Sequence, residues 1–321
     1  MSGAARDAMG RGRLRRLGYR LLPGEGFAYL LHMRPREWPI MVAHTTLGFV
    51  LAQGLGATLR GAHVGALAAG LFVWVALLNG GTLAINSAFD NDVGDIGYLD
   101  NPPQPPAHLA LWGFALMLAG QGIALLLPRG FAIAYAICFA MSLLYSVPPA
   151  RLKAVAGADW LINMIGFGTL TPYAGWALSA HPLTPAGAWA LAGFAPLFAA
   201  LYPLTQLYQL DEDRTRGDRT LAIALGVRSS LAIALAAAAI AFACFAHAAS
   251  IVSTASMAPP AQRGPAGAIA LSIAGCAWLA VLAPWIVRAP SMLPAAHKRG
   301  MYSALAAWAL TDLAVLLAVA P

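Results

Sequence analysis

Asn86 to Asp100 reads NSAFDNDVGDIGYLD, and it follows an unbroken apolar run directly. Within these 15 residues stand Asn86 and four aspartates, Asp90, Asp92, Asp95 and Asp100. A second acidic stretch, YQLDEDRTRGDRT from Tyr208 to Thr220, adds Asp211, Glu212, Asp213 and Asp218, so the two islands hold eight of the 13 acids in the chain. Both lie at the ends of apolar runs. Carboxylates beside hydrocarbon are costly unless partnered, and in that setting they mark functional sites. The surrounding chain is 60% hydrophobic and 10% charged, against about 25% charged in an ordinary soluble domain. A protein this apolar cannot cover its surface with polar groups, so its solvent is lipid.

Nine apolar runs are near the ~20 residues that span a bilayer. They fall at about 39–57, 63–88, 108–127, 130–146, 158–178, 188–209, 229–249, 266–287 and 300–320. In lipid every backbone polar group must be satisfied within its own segment, so these runs are expected as helices. The fold expected is an all-α integral membrane bundle of nine transmembrane helices. With the amino terminus in the cytoplasm, seventeen of the 20 Lys and Arg fall on the cytoplasmic side, leaving Arg60, Arg129 and Arg263 opposite. That asymmetry sets the orientation and puts both acidic islands on the cytoplasmic face. The islands end the second and sixth spans, four spans apart, which suggests two four-helix pseudo-repeats plus one helix, with the site at the repeat interface. Residues 1–36 carry eight of the basic residues and read as a cytoplasmic segment, either a short amphipathic helix on anionic headgroups or a disordered tail. Residues 37–321 read as the membrane domain.

Several chemistries are excluded. Cys138, Cys244 and Cys276 all lie in apolar runs without CxxC or Cys/His spacing, so neither a disulfide nor a zinc site is expected. The net charge of +7 is spread as membrane topology requires rather than gathered into a nucleic-acid patch. The histidines do not pair at metal-ligand spacing and read as interfacial. Asp159, opening the fifth span, reads either as a helix-start residue or as facing a cavity. Asp312, inside the last span, is left without an assigned partner.

The islands offer oxygen donors only. Asn86 and Asp90 are four apart and project from one helix face; Asp92 or Asp95 could join them. Gln209 and Asp213 repeat the spacing, with Asp211 between. Such a set suits a hard cation such as Mg²⁺, which keeps waters and is completed by substrate phosphates. A diphosphate could then approach the carboxylates, since bound metal inverts the local charge. Between the islands, YSVPPARLK (Tyr145 to Lys153) sets Arg151 and Lys153 just after a Pro148-Pro149 turn. They read either as diphosphate contacts, for which Arg is suited, or as cytoplasmic charge anchors. A charged head above an apolar helical interior fits a substrate with a diphosphate and a long hydrocarbon tail.

With NSAFDNDVGD, YSVPPARLK and DEDRTRGDRTLAIALG in place after the second, fourth and sixth spans, the chain resembles the UbiA superfamily of intramembrane prenyltransferases over roughly residues 30–320. The resemblance implies helices around a central cavity, two Asp-rich motifs binding Mg²⁺ and isoprenyl diphosphate, and transfer of the prenyl group to an aromatic or lipid acceptor in the bilayer. It assigns Asp90 and Asp213 as catalytic. Asn86, Asp90, Asp92, Asp95, Gln209, Asp211 and Asp213 become the metal-site candidates, and Arg151, Lys153, Tyr145 and Arg219 the diphosphate-binding ones. The chain departs from the family pattern at Ser87, at Gly94, and at Gln209, where the second motif has its first Asp. A bacterial cytoplasmic membrane is the expected location. Three other functions compete: a membrane terpene cyclase of the same superfamily, a cation-coupled transporter and an inactive scaffold. Acids gathered at span ends rather than at mid-membrane argue against transport.

Overall fold

The computed structural model describes residues 13–90, 96, 99, 101–217, 219–255 and 265–321. Among these residues the regular structure is helical, apart from two isolated bridges, Ile96 with Leu99 and Val155 with Arg219. Two short helices, α1 (Arg13–Leu21) and α2 (Gly26–His32), precede α3 (Trp38–Leu59), α4 (Val64–Asp90), α5 (Leu109–Ala124) and α6 (Arg129–Ser146). There follow α7 (residues 158–178), α8 (Pro185–Gln206), the short α9 (Leu210–Arg216), α10 (Leu221–Ala255), α11 (Ala266–Arg288) and α12 (Pro294–Val319). α1 realises the helical reading of the basic amino-terminal segment.

Seven of these helices, α3, α4, α6, α8, α10, α11 and α12, are long and apolar enough to cross a membrane. α5 has 16 residues, about 24 Å of helix, and α7 is interrupted by a π-helical stretch, Met164–Leu170. Together the nine segments follow the nine apolar runs of the sequence. The largest offset is at α10. It begins at Leu221 because LAIALG is already helical, and the chain then breaks at Gly226 (φ 76, ψ 169), a conformation open only to glycine. Large apolar side chains such as Leu118, Ile137, Ile240, Ile273 and Leu313 stay exposed, as a lipid-solvated surface requires.

The chain divides into two compact units. One comprises the chain up to Ala43 with Ala68–Ala150, the other His44–Leu67 with Arg151–Pro321. Each unit carries one acidic segment. In the first, α4 packs on α5 and α6. Gly81 and Gly113 meet there so closely that a Cβ on either would stand 2.8 or 2.7 Å from the other's carbonyl oxygen. Trp74 lies 5.7 Å from Phe131, and the buried Tyr135 hydroxyl donates to the Met117 carbonyl at 3.0 Å. In the second unit α8 lies along α10 and α12, and α11 along α12, around Phe194, Phe245 and Trp308. α3 touches α7 backbone to backbone, Gly48 against the Pro172 carbonyl and Gly175 against that of Thr45.

Candidate active site

In the first unit the last turns of α4 present Asn86 and Asp90, both half-buried, on one helix face as their spacing dictates. A π-helical stretch, Phe72–Asn79, lies just before these turns; such widened turns recur at functional sites. Asp92 and Asp95 lie outside the described residues. The amino-terminal segment holds this end of the unit. Arg34, in the left-handed region (φ 50), donates from Nη2 to Ser87 Oγ at 3.5 Å. Arg15 Nη2 donates to the Asn101 carbonyl at 2.8 Å, and the buried His32 meets the Pro103 carbonyl through Nε2 at 3.0 Å. Burial pushes the His32 imidazole down to about 4, with the Arg34 charge adding to the effect and the Pro103 carbonyl opposing it. Tyr145 is half-buried at the end of α6.

The second unit gathers the rest. Lys153 is buried at 8% exposure, on a single 3₁₀ turn, Leu152–Ala154, entered through Arg151 in the left-handed region (φ 33, ψ 52). A non-glycine residue held there signals a constraint from its surroundings. That turn is tied to the second island, because the Arg219 amide donates to the Ala154 carbonyl at 3.3 Å and Val155 bridges Arg219. The Arg219 residue itself is exposed.

Within the island the acids differ. Asp213 is buried at 4% exposure, and its amide donates to the carbonyl of the half-buried Gln209 at 2.9 Å. Asp211, two residues away on α9 and so on the opposite face, has a side chain 84% exposed and pairs with Arg214 at 3.0 Å. Asp211 and Arg214 line a separate cleft of about 360 Å³ with Tyr208, Arg228 and His297.

Two groups were only partly legible in the sequence. Asp159 is fully buried. Its Oδ1 accepts from the Gly157 amide at 2.9 Å, and its Oδ2 accepts from Gln206 Nε2 at 2.8 Å and the Leu221 amide at 3.3 Å. Gln206 Oε1 accepts from the Ala222 amide at 3.2 Å. An Asp opening an apolar run was the available signal for the first; nothing marked Gln206. Asp312 finds His44, whose Nδ1 is 3.7 Å from Asp312 Oδ1, between the rings of Phe194 and Trp308. His44 is therefore buried against aromatic rings of α8 and α12.

Among the described residues no three His, Cys, Asp or Glu side chains cluster as a metal site. Each unit instead supplies an amide–carboxylate pair, Asn86 with Asp90 and Gln209 with Asp213. Oxygen donors in this number fit a hard divalent cation that keeps waters and takes further ligands from a phosphate, and do not fit a fully protein-enclosed ion.

The model of the UbiA prenyltransferase family matches residues 38–297. A digeranylgeranylglyceryl phosphate synthase of Methanothrix thermoacetophila is 28% identical over 215 residues, 63% of this chain and 73% of that protein. A UbiA homolog from Archaeoglobus fulgidus bound to DMAPP and Mg²⁺ superposes with a TM-score of 0.62 at 18% identity, covering 90% of this chain and 98% of its own. The same homolog bound to GPP and Mg²⁺ gives 0.61 at 18% identity, over 90% and 99%.

Proposed function

Because this chain belongs to the UbiA prenyltransferase family and is a multi-pass membrane protein, we propose that it moves an isoprenyl group from an allylic isoprenyl diphosphate to an aromatic or lipid acceptor with the help of Mg²⁺. Residues 37–321 form the catalytic membrane domain. Residues 1–36 form a basic cytoplasmic segment, and the membrane is a bacterial cytoplasmic one with the amino terminus inside. The Arg15, His32 and Arg34 contacts support a packed role for the later part of that segment.

Asn86 and Asp90 in one unit, and Gln209 and Asp213 in the other, are the residues that would hold Mg²⁺; Asp92 or Asp95 is the remaining candidate of the first motif. Mg²⁺ supplies charge neutralisation of the departing diphosphate. Arg151 and Lys153 contact the diphosphate oxygens, with Tyr145 and Arg219 as further candidates. Lys153 is a compact point charge, and its burial raises the strength of any phosphate contact it makes. The allylic C–O bond breaks with its electrons leaving on the diphosphate. The acceptor nucleophile forms the new bond to the allylic carbon and gives up its proton to the released diphosphate or to water. Apolar helices keep water from the allylic cation.

The observation that carries this reading is the joining of the buried Lys153 turn to the island containing the buried Asp213 through Ala154 and Arg219. The test is incubation of the purified protein with labelled C10 to C20 allylic diphosphates and a membrane lipid extract, with products identified by mass spectrometry. Transfer that stops with chelator and returns with Mg²⁺ is expected. Labelled hydrocarbon without any prenylated acceptor would make the protein a cyclase instead. Absence of diphosphate release would remove the enzymatic reading.

A further inference from the structure

Asp159 and Gln206 lie in none of the acidic or basic motifs, yet they are among the most constrained polar groups of the second unit. Asp159 is completely buried and Gln206 is 6% exposed. A buried carboxylate is tolerated only when its lone pairs are met by donors. Here donors meet it from its own segment and from two distant ones: the Gly157 amide after the Lys153 turn, Gln206 Nε2 at the end of α8, and the Leu221 amide at the start of α10. Gln206 continues the chain of bonds by accepting from the Ala222 amide. Its amide is thus fixed in one orientation, nitrogen to Asp159 and oxygen to Ala222.

The bonds have a consequence for the island. The chain between the end of α8 at Gln206 and the start of α10 at Leu221, which includes α9, contains Gln209, Asp213 and Arg219. Gln206 fastens the two ends of that connection to each other through Ala222, and Asp159 fastens both ends to the start of α7, which follows the Lys153 turn within a few residues and where Gly157 donates to the same carboxylate. We propose that Asp159 and Gln206 are a positioning pair that sets the Lys153 turn and the Asp213 island at the separation a diphosphate needs to engage both. This rests on the diphosphate role assigned above to Arg151, Lys153 and the island, and adds the device that holds them. Neither residue is expected to touch substrate.

The hydrogen-bond pattern makes the test specific. Asp159 offers acceptors only, and Gln206 offers one donor and one acceptor. In Asp159→Asn an NH₂ group faces another N–H. In Gln206→Glu two carboxylates face each other. In the double variant, Asp159→Asn with Gln206→Glu, the new side-chain amide donates to the new carboxylate. That carboxylate still accepts from Ala222, and the oxygen of the new amide keeps the bond from the Gly157 N–H. Only the long 3.3 Å bond from Leu221 is lost.

The measurement is calorimetric binding of an uncleavable isoprenyl thiolodiphosphate in Mg²⁺, with KM for both substrates and thermal unfolding in detergent alongside. Each single variant should weaken thiolodiphosphate binding roughly 10-fold or more, on the scale of one lost charge-assisted bond, with acceptor KM unchanged. The double variant should recover to within about threefold of wild type. If the single variants bind normally while Lys153→Ala binds weakly, the positioning role is wrong and the diphosphate reading stands. If Lys153→Ala also binds normally, the diphosphate reading itself fails, and the positioning role with it. Weakening of both substrates together, or no recovery in the double variant, would reduce the pair to a structural one and overturn the proposal. Should the single variants not fold, the double variant decides alone: folded with near wild-type affinity supports the pair, and any other result overturns it.

Discussion

Asp211 and Asp213 stand two residues apart in the same short helix with opposite surroundings. The Asp211 side chain is 84% exposed beside Arg214, where an ion pair contributes little, about 0–1 kcal/mol. Asp213 is buried. Asp213→Asn should therefore cut prenyl transfer by about 100-fold or more, a loss of about 2.7 kcal/mol or more in transition-state stabilisation, with the protein still folded in detergent. Asp211→Asn should leave turnover within about twofold and stability within about 0.5 kcal/mol. Steady-state rates for the two variants, measured side by side, check this; equal losses would refute the assignment of Asp213 as the island's metal-site acid.

His32 gives a pH signature. Its imidazole is fully buried, Nε2 meets the Pro103 carbonyl, and Nδ1 has no hydrogen-bond partner among the described residues. A second proton on Nδ1 would be buried unsatisfied, and burial lowers the pKa from 6.5 to about 4. Between these values the unfolded chain binds more protons than the folded one, so stability falls as pH falls. The contribution is fully present above about 6.5 and is lost as pH drops through about 4, amounting to on the order of 3 kcal/mol. Thermal unfolding of the wild type from pH 7 to 4 should show this slope, and His32→Gln should flatten it. Parallel curves would show that other groups set the acid limit.

At the scale of elements, the helix contacts depend on missing side chains. Gly48 and Gly175 let α3 and α7 approach until backbone meets backbone, as small residues do in membrane helices. A methyl group on Gly48 would run into the Pro172 carbonyl, and backbone cannot move aside as a flexible side chain can. Gly48→Ala should cost about 1–3 kcal/mol. Gly122 in α5 is the control, since a Cβ there would meet nothing within 4 Å. Gly122→Ala should be neutral or stabilising by up to about 1 kcal/mol. Melting temperatures in detergent distinguish the two. The N–H groups at the entry to α10 obey a different logic. Leu221 and Ala222 donate to Asp159 and Gln206, side-chain acceptors that take up the first amides, which a helix leaves unpaired.

For the whole molecule, the proposed orientation with the amino terminus inside would put seventeen of the 20 basic residues on the cytoplasmic side, and that is a testable statement about topology. Single cysteines placed at Arg214 and at Arg151, in a background lacking Cys138, Cys244 and Cys276, should resist a membrane-impermeant thiol reagent in intact cells and react after permeabilisation. Labelling of either from outside would reverse the orientation. Arg60→Cys, on the other side of the count, should react in intact cells.

The class of protein was legible because lipid leaves little choice. An apolar run of about 20 residues must be a helix there, and nine such runs, their ends and the three polar motifs between them can be read along one dimension. The i, i+4 spacings Asn86–Asp90 and Gln209–Asp213 can be read along the chain in the same way; the first falls within one helix, whereas Gln209 stands just outside α9 as its N-cap. Burial and partnership across the chain were not legible. Asp211 and Asp213 look equivalent in DEDR, and only the packing of α9 buries one and exposes the other. His44 and Asp312 are 268 positions apart, so nothing local relates them until α3 and α12 meet. Asp159 carried two readings in the sequence, a helix start and a cavity wall. The helix-start reading holds, with Asp159 in the first turn of α7 and the nearby Gly157 amide on its Oδ1, but its donors from residues 206 and 221 come from distant chain segments, and which segments converge on a carboxylate is decided by the tertiary structure rather than by its neighbours in sequence.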